Sequence, residues 1–184
     1  MTSTQYVALL RGINVGGKNL IKMTELKACF ERNGFDNVAS YIQSGNILFE
    51  SNEKDMPKLE SQIEQMLSKN FNYNARIVLR SHKQMKSVIA QAPSGFGGTP
   101  AEYRYDAIFL KDLLASHELI KVVSAKEGVD QVFAGNGVLY FSRLISRASQ
   151  SKLSRIVGTP EYQHMTIRNW STTVKLLALM EARN

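Results

Sequence analysis

Gly12, Gly17 and Lys18 stand in the spacing G-x-x-x-x-G-K within RGINVGGKN, residues 11–19, which is the front of a phosphate-binding P-loop. That chemistry needs the lysine on the β- and γ-phosphates and a following Ser or Thr on magnesium. Asn19 takes the Ser/Thr position, and its amide is a poor replacement for a hydroxyl ligand. A P-loop helix also starts at the lysine, so that its first amides face the phosphates. Here Leu20-Ile21-Lys22-Met23 intervenes before the helix-start signal of Thr24 and Glu25. The later strands do not alternate with helices as a parallel nucleotide-binding sheet requires. The segment is not a standard P-loop.

What survives is anion chemistry. Arg11 offers a planar fork of donors suited to phosphate or carboxylate. Gly12, Gly16 and Gly17 permit close backbone approach, and successive amides there form an anion-binding nest. Asn14, Lys18 and Asn19 add polar donors. A second polar group, Gln43, Ser44, Gly45 and Asn46, lies in a hairpin signal between two strand-like runs. In a split strand–helix–strand unit the first two strands run the same way, with the third antiparallel between them. Loop 11–19 and turn 44–46 then open at one end of the sheet, and their residues converge as a ligand-binding rim. The competing expectation is structural: Arg11 pairs with a surface acid, and Asn46 only closes its hairpin. Arg168 joins the candidate set from Arg168-Asn169-Trp170, where Asn169 suits a helix cap and Trp170 a core position. Its joining the rim requires the two halves of the chain to pack suitably.

Other chemistry is weak. His82, His117 and His164 lack metal-ligand spacing, so no metal site is expected and no cofactor is assigned. No paired carboxylates announce acid–base catalysis, and no G-x-S-x-G elbow is present. Lys18 serves as a general base only if desolvated.

The elements that must hold the rim read as strand, helix, strand, strand, helix, strand. Tyr6–Leu10 is a strand; Leu26, Cys29 and Phe30 form a helical stripe closed by Asn33-Gly34. Val38–Ile42 and Ile47–Phe49 flank the turn; Pro57, Leu59, Ile63, Met66 and Leu67 mark a second helix, and Arg76–Leu79 a fourth strand. Ser81 suits the cap of a bridging helix, followed by PSGFGGTP at 93–100, read as a linker or as a lid with Phe96 at its tip. The order then repeats: strand 105–110, helix 113–123, hairpin strands 131–133 and 138–141 around Gly135-Asn136-Gly137, helix 149–157 and strand 165–167. A C-terminal helix starts near Trp170. YIQSGNILFE and QVFAGNGVLYFS resemble each other around their turns, as an internal duplication would. The expected fold is α+β: two ferredoxin-like (βαββαβ) halves with mainly antiparallel sheets, residues 1–80 and 103–184, joined by 81–102.

The 184 residues have 43% hydrophobic and 21% charged content, ordinary for a globular chain. A formal charge of +7 includes two acid-free windows, 65–101 and 131–160, which suit a positive surface or simply a solvated basic face. Cys29 is the only cysteine, which rules out a disulfide framework. No run approaches the roughly 18 apolar residues of a membrane helix. A cytoplasmic protein with no membrane partner is expected; the oligomeric state is not readable.

LLRGINVGGKN, YIQSGNILF and MTIRNW together resemble the bacterial family catalogued as domain of unknown function 1697. The matching positions are Arg11, Gly12, Asn14, Gly16, Gly17, Ser44, Gly45, Asn46, Arg168 and Trp170. The resemblance implies an α+β fold with ferredoxin-like subdomains and no established activity. The leading expectation is binding of a phosphate-bearing ligand, a nucleotide or nucleic acid, at the rim. The alternatives are an enzyme acting on a phosphorylated or carboxylated metabolite, and a protein-interaction module whose loops are only structural.

Overall fold

The structure is a computed structural model that describes residues 3–17, 19–111 and 116–183. The chain divides into two compact units, one running to Met85 and including Leu179 onward, the other Lys86–Ala178.

In the first unit the elements are β1 (Thr4–Leu10), α1 (Met23–Arg32), β2 (Asp36–Tyr41), β3 (Asn46–Ser51), α2 (Met56–Phe71) and β4 (Ile77–Ser81). The sheet order is β2-β3-β1-β4, with every neighbouring pair antiparallel. This is the ferredoxin-like arrangement the element order predicts. Tyr6, Ala8 and Leu10 pack with Phe30, Phe35 and Phe49 from α1, its exit turn and β3. The intervening Val7 and Leu9 are equally buried, so β1 is apolar from Tyr6 to Leu10 rather than alternating. Cys29 is part of that core, and burial pushes its thiol pKa up, as expected of a packing residue. Asp55 caps α2 by accepting from the Lys58 N–H at 3.1 Å, with Pro57 in the first turn. The α1 start differs from expectation: Lys22, not Thr24, is the N-cap, and no side chain caps it.

Helix α3 (His82–Ala90) follows β4 directly. Ser81 caps it as predicted, and reciprocally: Gln84 N–H donates to Ser81 Oγ at 3.3 Å while Ser81 N–H donates to Gln84 Oε1 at 2.8 Å.

The second unit carries β5 (Tyr103–Leu110), α4 (Ser116–Leu119), β6 (Asp130–Gly135), β7 (Val138–Leu144), β8 (Met165–Asn169) and, as far as Ala178, α5 (Trp170–Glu181). Its sheet, β6-β7-β5-β8, repeats the first one strand for strand. The duplication extends to single bonds: Leu10 N–H donates to Gly45 O at 2.8 Å, and Leu110 N–H to Gly137 O at 3.0 Å. The helix expected over 149–157 is absent. Three 3₁₀ segments, 145–150, 153–158 and 160–164, stand there instead. Leu153 and Ile156 are buried as the apolar spacing predicted, but Val157 is exposed. The cause is local. Serines at 146, 149, 151 and 154 compete for backbone groups, as Ser151 Oγ does by accepting from Leu153 N–H at 3.3 Å. Asp130 Oδ2 also accepts from both Lys126 N–H and Lys152 N–H at 2.9 Å, which pins the segment to β6. Of the helix expected over 113–123, residues 113–115 lie outside the described residues, and 116–119 are helical.

Asp106 is 2% exposed on β5, with Arg104 Nε at 3.6 Å and Arg143 Nη2 at 4.0 Å. Burial raises its carboxyl pKa above the ordinary 3.8, and the two guanidinium groups oppose that rise without cancelling it. Between 3.8 and the raised value the folded chain holds more of this proton than the unfolded one, so the group's contribution to stability falls as pH rises through that window. Asp106→Asn is therefore expected to melt higher than wild type at about pH 7, with the gap shrinking at about pH 4. A gap of the same size at both values in a calorimetric comparison would contradict this assignment.

Candidate functional site

Loop 11–19 and turn 43–45 meet at one end of the first sheet. Strand register places Leu9 opposite Asn46 and Leu10 opposite Ile77, so the loop leaves β1 beside the hairpin on one flank and the start of β4 on the other. The two segments are bonded together by Leu10 N–H to Gly45 O, and by Asn14 Nδ2 to Gln43 O at 2.9 Å.

Asn14 is the clasp. Its amide also donates to Ile21 O at 3.0 Å, and its Oδ1 accepts from Ile21 N–H at 2.8 Å. Asn19 Nδ2 donates to Gly12 O at 2.8 Å, and Asn19 O accepts from Asn14 N–H at 3.1 Å. Asn46 is fully buried, its Nδ2 donating to Tyr41 O at 2.9 Å and Ser44 Oγ at 3.0 Å. These three amides build the rim. Their described hydrogen bonds are to protein groups.

The backbone explains why this segment is rich in Gly and Asn. Gly12, Asn14, Gly16, Gly17 and Asn19 all have φ between +48° and +75°, the left-handed region. Gly45, at φ +77°, is packed so closely that a Cβ would lie 2.6 Å from Ile13 Cδ1. Gly16 and Gly17 are the opposite case: exposed, with nothing near the position of a Cβ. Among the described residues their N–H groups have no hydrogen-bond partner. Ile42, at φ +49°, is a β-branched residue in a conformation such residues rarely adopt.

Arg11 is half-buried at the mouth of the loop, and its N–H donates to Arg76 O at 3.0 Å. Arg76 thus stands beside Arg11, its own Nη1 3.6 Å from Glu64 Oε2. The reading of the rim from sequence missed Arg76, because only the pairing of β4 with β1 brings it there. Gln43 is exposed and Ser44 half-buried. Lys18 lies outside the described residues. No carboxylate occurs in 11–24 or 37–49, so the loop and the hairpin carry no negative side chain. Three of the exposed large apolar residues, Val15, Leu20 and Ile42, also belong to these segments.

Arg168 is in the second unit. It is 7% exposed, its Nη1 donating to Thr166 Oγ1 at 2.9 Å and to Ile167 O at 3.0 Å, and burial lowers its pKa to about 10. The acid-free windows are not a uniform surface, since Arg80 is 1% exposed and Arg143 faces Asp106. Among the described residues no three His, Cys, Asp or Glu side chains converge as a metal site requires. No described helix is long and apolar enough to cross a membrane.

The profile of a family described as protein of unknown function (DUF1697) matches residues 3–140. The chain belongs to that family. The match spans the first hairpin, the rim segments 11–19 and 43–46 and the turn of the second hairpin, and ends inside β7. A DUF1697 member's likeness to solved structures reaches further: the conserved bacterial protein SP0830 from Streptococcus pneumoniae is 28% identical with a TM-score of 0.83. That likeness covers 98% of this chain and 99% of that one, so it includes β8 and α5 beyond the profile match. Among curated proteins none matches this DUF1697 chain.

Proposed function

We propose that the rim formed by Arg11–Asn19 and Gln43–Asn46 binds a phosphate-bearing ligand, a nucleotide or nucleic acid. One observation carries the reading: Gly16 and Gly17 are consecutive, left-handed and exposed, with amides that no described protein group answers. Amides presented in this way attract anions. Arg11 brings positive charge to the mouth of the loop, where its N–H meets Arg76 O, while Arg76 itself is matched by Glu64 at 3.6 Å. Asn14, Asn19 and Asn46 act by holding the loop in shape rather than by touching the ligand. A loop ordered before binding loses less entropy when the ligand arrives.

The test is thermal denaturation with ATP, and separately with a short single-stranded oligonucleotide over a range of salt. A nucleotide site gives a melting temperature that climbs with ATP in the manner of mass action. A nucleic-acid site gives oligonucleotide affinity that drops steeply with salt. In either case Arg11→Ala is expected to weaken binding by about tenfold or more, the worth of a charge-assisted hydrogen bond. No response to either probe, or an equal response in Arg11→Ala, would remove the proposal.

A second reading has its own support. Val15, Leu20 and Ile42 expose apolar surface on the same loops, at 65%, 76% and 47%. Such a cluster suits contact with another macromolecule. Leu20→Ser separates the two: it leaves ATP binding intact if the rim is a small-molecule site.

A further inference from the structure

The second unit contains a cleft of about 1110 Å³ at the end of its sheet where β5 begins, β7 ends and α5 starts. Tyr103, Arg104, Tyr105, Arg143, Trp170 and Lys175 line it. From the sequence Trp170 suited a core position beside Arg168 and Arg143 fell in an acid-free window, but the spacing of the six carries no motif that would join them.

Two features make it more than a surface fold. The first is charge. Arg104 lies directly opposite Arg143 in the β5–β7 register, and like charges at facing strand positions repel. One buried carboxylate, Asp106, answers both, at 3.6 and 4.0 Å, which is outside ordinary hydrogen-bond range. The trio keeps a net positive charge, and Lys175, exposed on α5, adds another on the same cleft. Arg104, its side chain 54% exposed against 22% for Arg143, is the member of the pair that reaches solvent and can meet an anion.

The second feature is the wall. Trp170 is fixed edge-on by Phe96, ring centroids 5.0 Å apart at 84°, and by Tyr140 at 6.1 Å and 75°. Phe96 also meets Tyr105 at 4.9 Å and 70°. Gly97 lies against the indole so closely that a Cβ there would be 2.6 Å from Trp170 Nε1. Phe96 is therefore packed onto an aromatic cluster, and the segment around it holds the cleft's wall in place. Ile145 and Val174, exposed by 49% and 42%, give the same cleft an apolar surface.

We propose that this cleft is a second binding site, for an aromatic phosphate: a flat ring against Trp170, Tyr103 and Tyr105 on one face of β5, with the phosphate reaching round the end of the strand to Arg104 and Arg143, which leave the sheet's other face, and to Lys175. Stacking on aromatic side chains and bidentate phosphate capture by arginine are the two recognition modes present. The site stands independently of the rim in the first unit.

Trp170 is the only tryptophan in the chain, so its fluorescence reports on this cleft alone. AMP is expected to quench it along a saturating curve, with adenosine or inorganic phosphate separately about tenfold weaker. Arg104→Gln is expected to weaken the AMP response by about tenfold or more, and Lys175→Gln, on an exposed helix position, to weaken it in the same direction. Should Arg104→Gln fail to fold, Lys175→Gln decides. The proposal is overturned by the absence of saturable quenching up to about 1 mM AMP. It is also overturned by folded Arg104→Gln and Lys175→Gln proteins that both respond as wild type.

Discussion

Gly45→Ala is expected to lower the unfolding free energy by about 3 kcal/mol, combining a left-handed non-glycine backbone with overpacking. In a domain of this size that is a fall of roughly 10 °C in melting temperature. The cause is twofold. Gly45 has φ +77°, and a Cβ there would sit 2.6 Å from Ile13 Cδ1 and 2.8 Å from Leu10 Cβ. Leu10 Cβ cannot move without moving β1, so relief must come from the hairpin itself. Gly16→Ala is the matched control: its φ is +59°, but nothing stands within 4 Å of the new methyl group. Only the conformational penalty of about 1–2 kcal/mol remains there. Equal melting temperatures for the two variants would mean that the hairpin does not press on the loop.

Asn14→Ala is expected to cost about 2–3 kcal/mol by leaving partly buried backbone groups unsatisfied. The substitution removes the donor to Ile21 O and Gln43 O and the acceptor for Ile21 N–H. Urea unfolding reads the loss as a shift in midpoint at constant slope. Native-state amide exchange should show the Ile21 N–H losing protection first. Ligand affinity at the rim should fall too, although Asn14 spends its described bonds on the protein, because the loop would no longer be held in its binding shape. An Asn14→Ala protein with wild-type stability and affinity would show that the clasp is incidental.

Much of the scaffold was legible because its signals are local. Apolar spacing placed β1, α1 and α2, Pro57 marked a first helical turn, and Ser81 with Gln84 made a capping box within four residues. The shared lip of loop and hairpin followed from topology alone, since β3 can only pair between β1 and β2 in this arrangement. What stayed hidden depends on contacts far apart in the chain. Nothing near Asn14 announces that its amide closes on Gln43, 29 residues away. Arg76 reaches the rim through the β4–β1 register, and Ile42 adopts a left-handed turn that its residue type argues against. The 3₁₀ run at 145–164 misled by periodicity: Leu153 and Ile156 keep the spacing of a helix, while serines and the Asp130 clamp deny it the backbone bonds. The arginine-facing cleft was invisible because Arg104 and Arg143 are neighbours only across strands.

The most direct measurement is an amide NMR titration of the full chain with pyrophosphate. The account predicts that Gly16 and Gly17 N–H resonances move furthest and saturate together, and that Arg11→Ala suppresses the movement. Gly16 and Gly17 resonances that stay still while pyrophosphate binds elsewhere, or that do not respond at all, would contradict it.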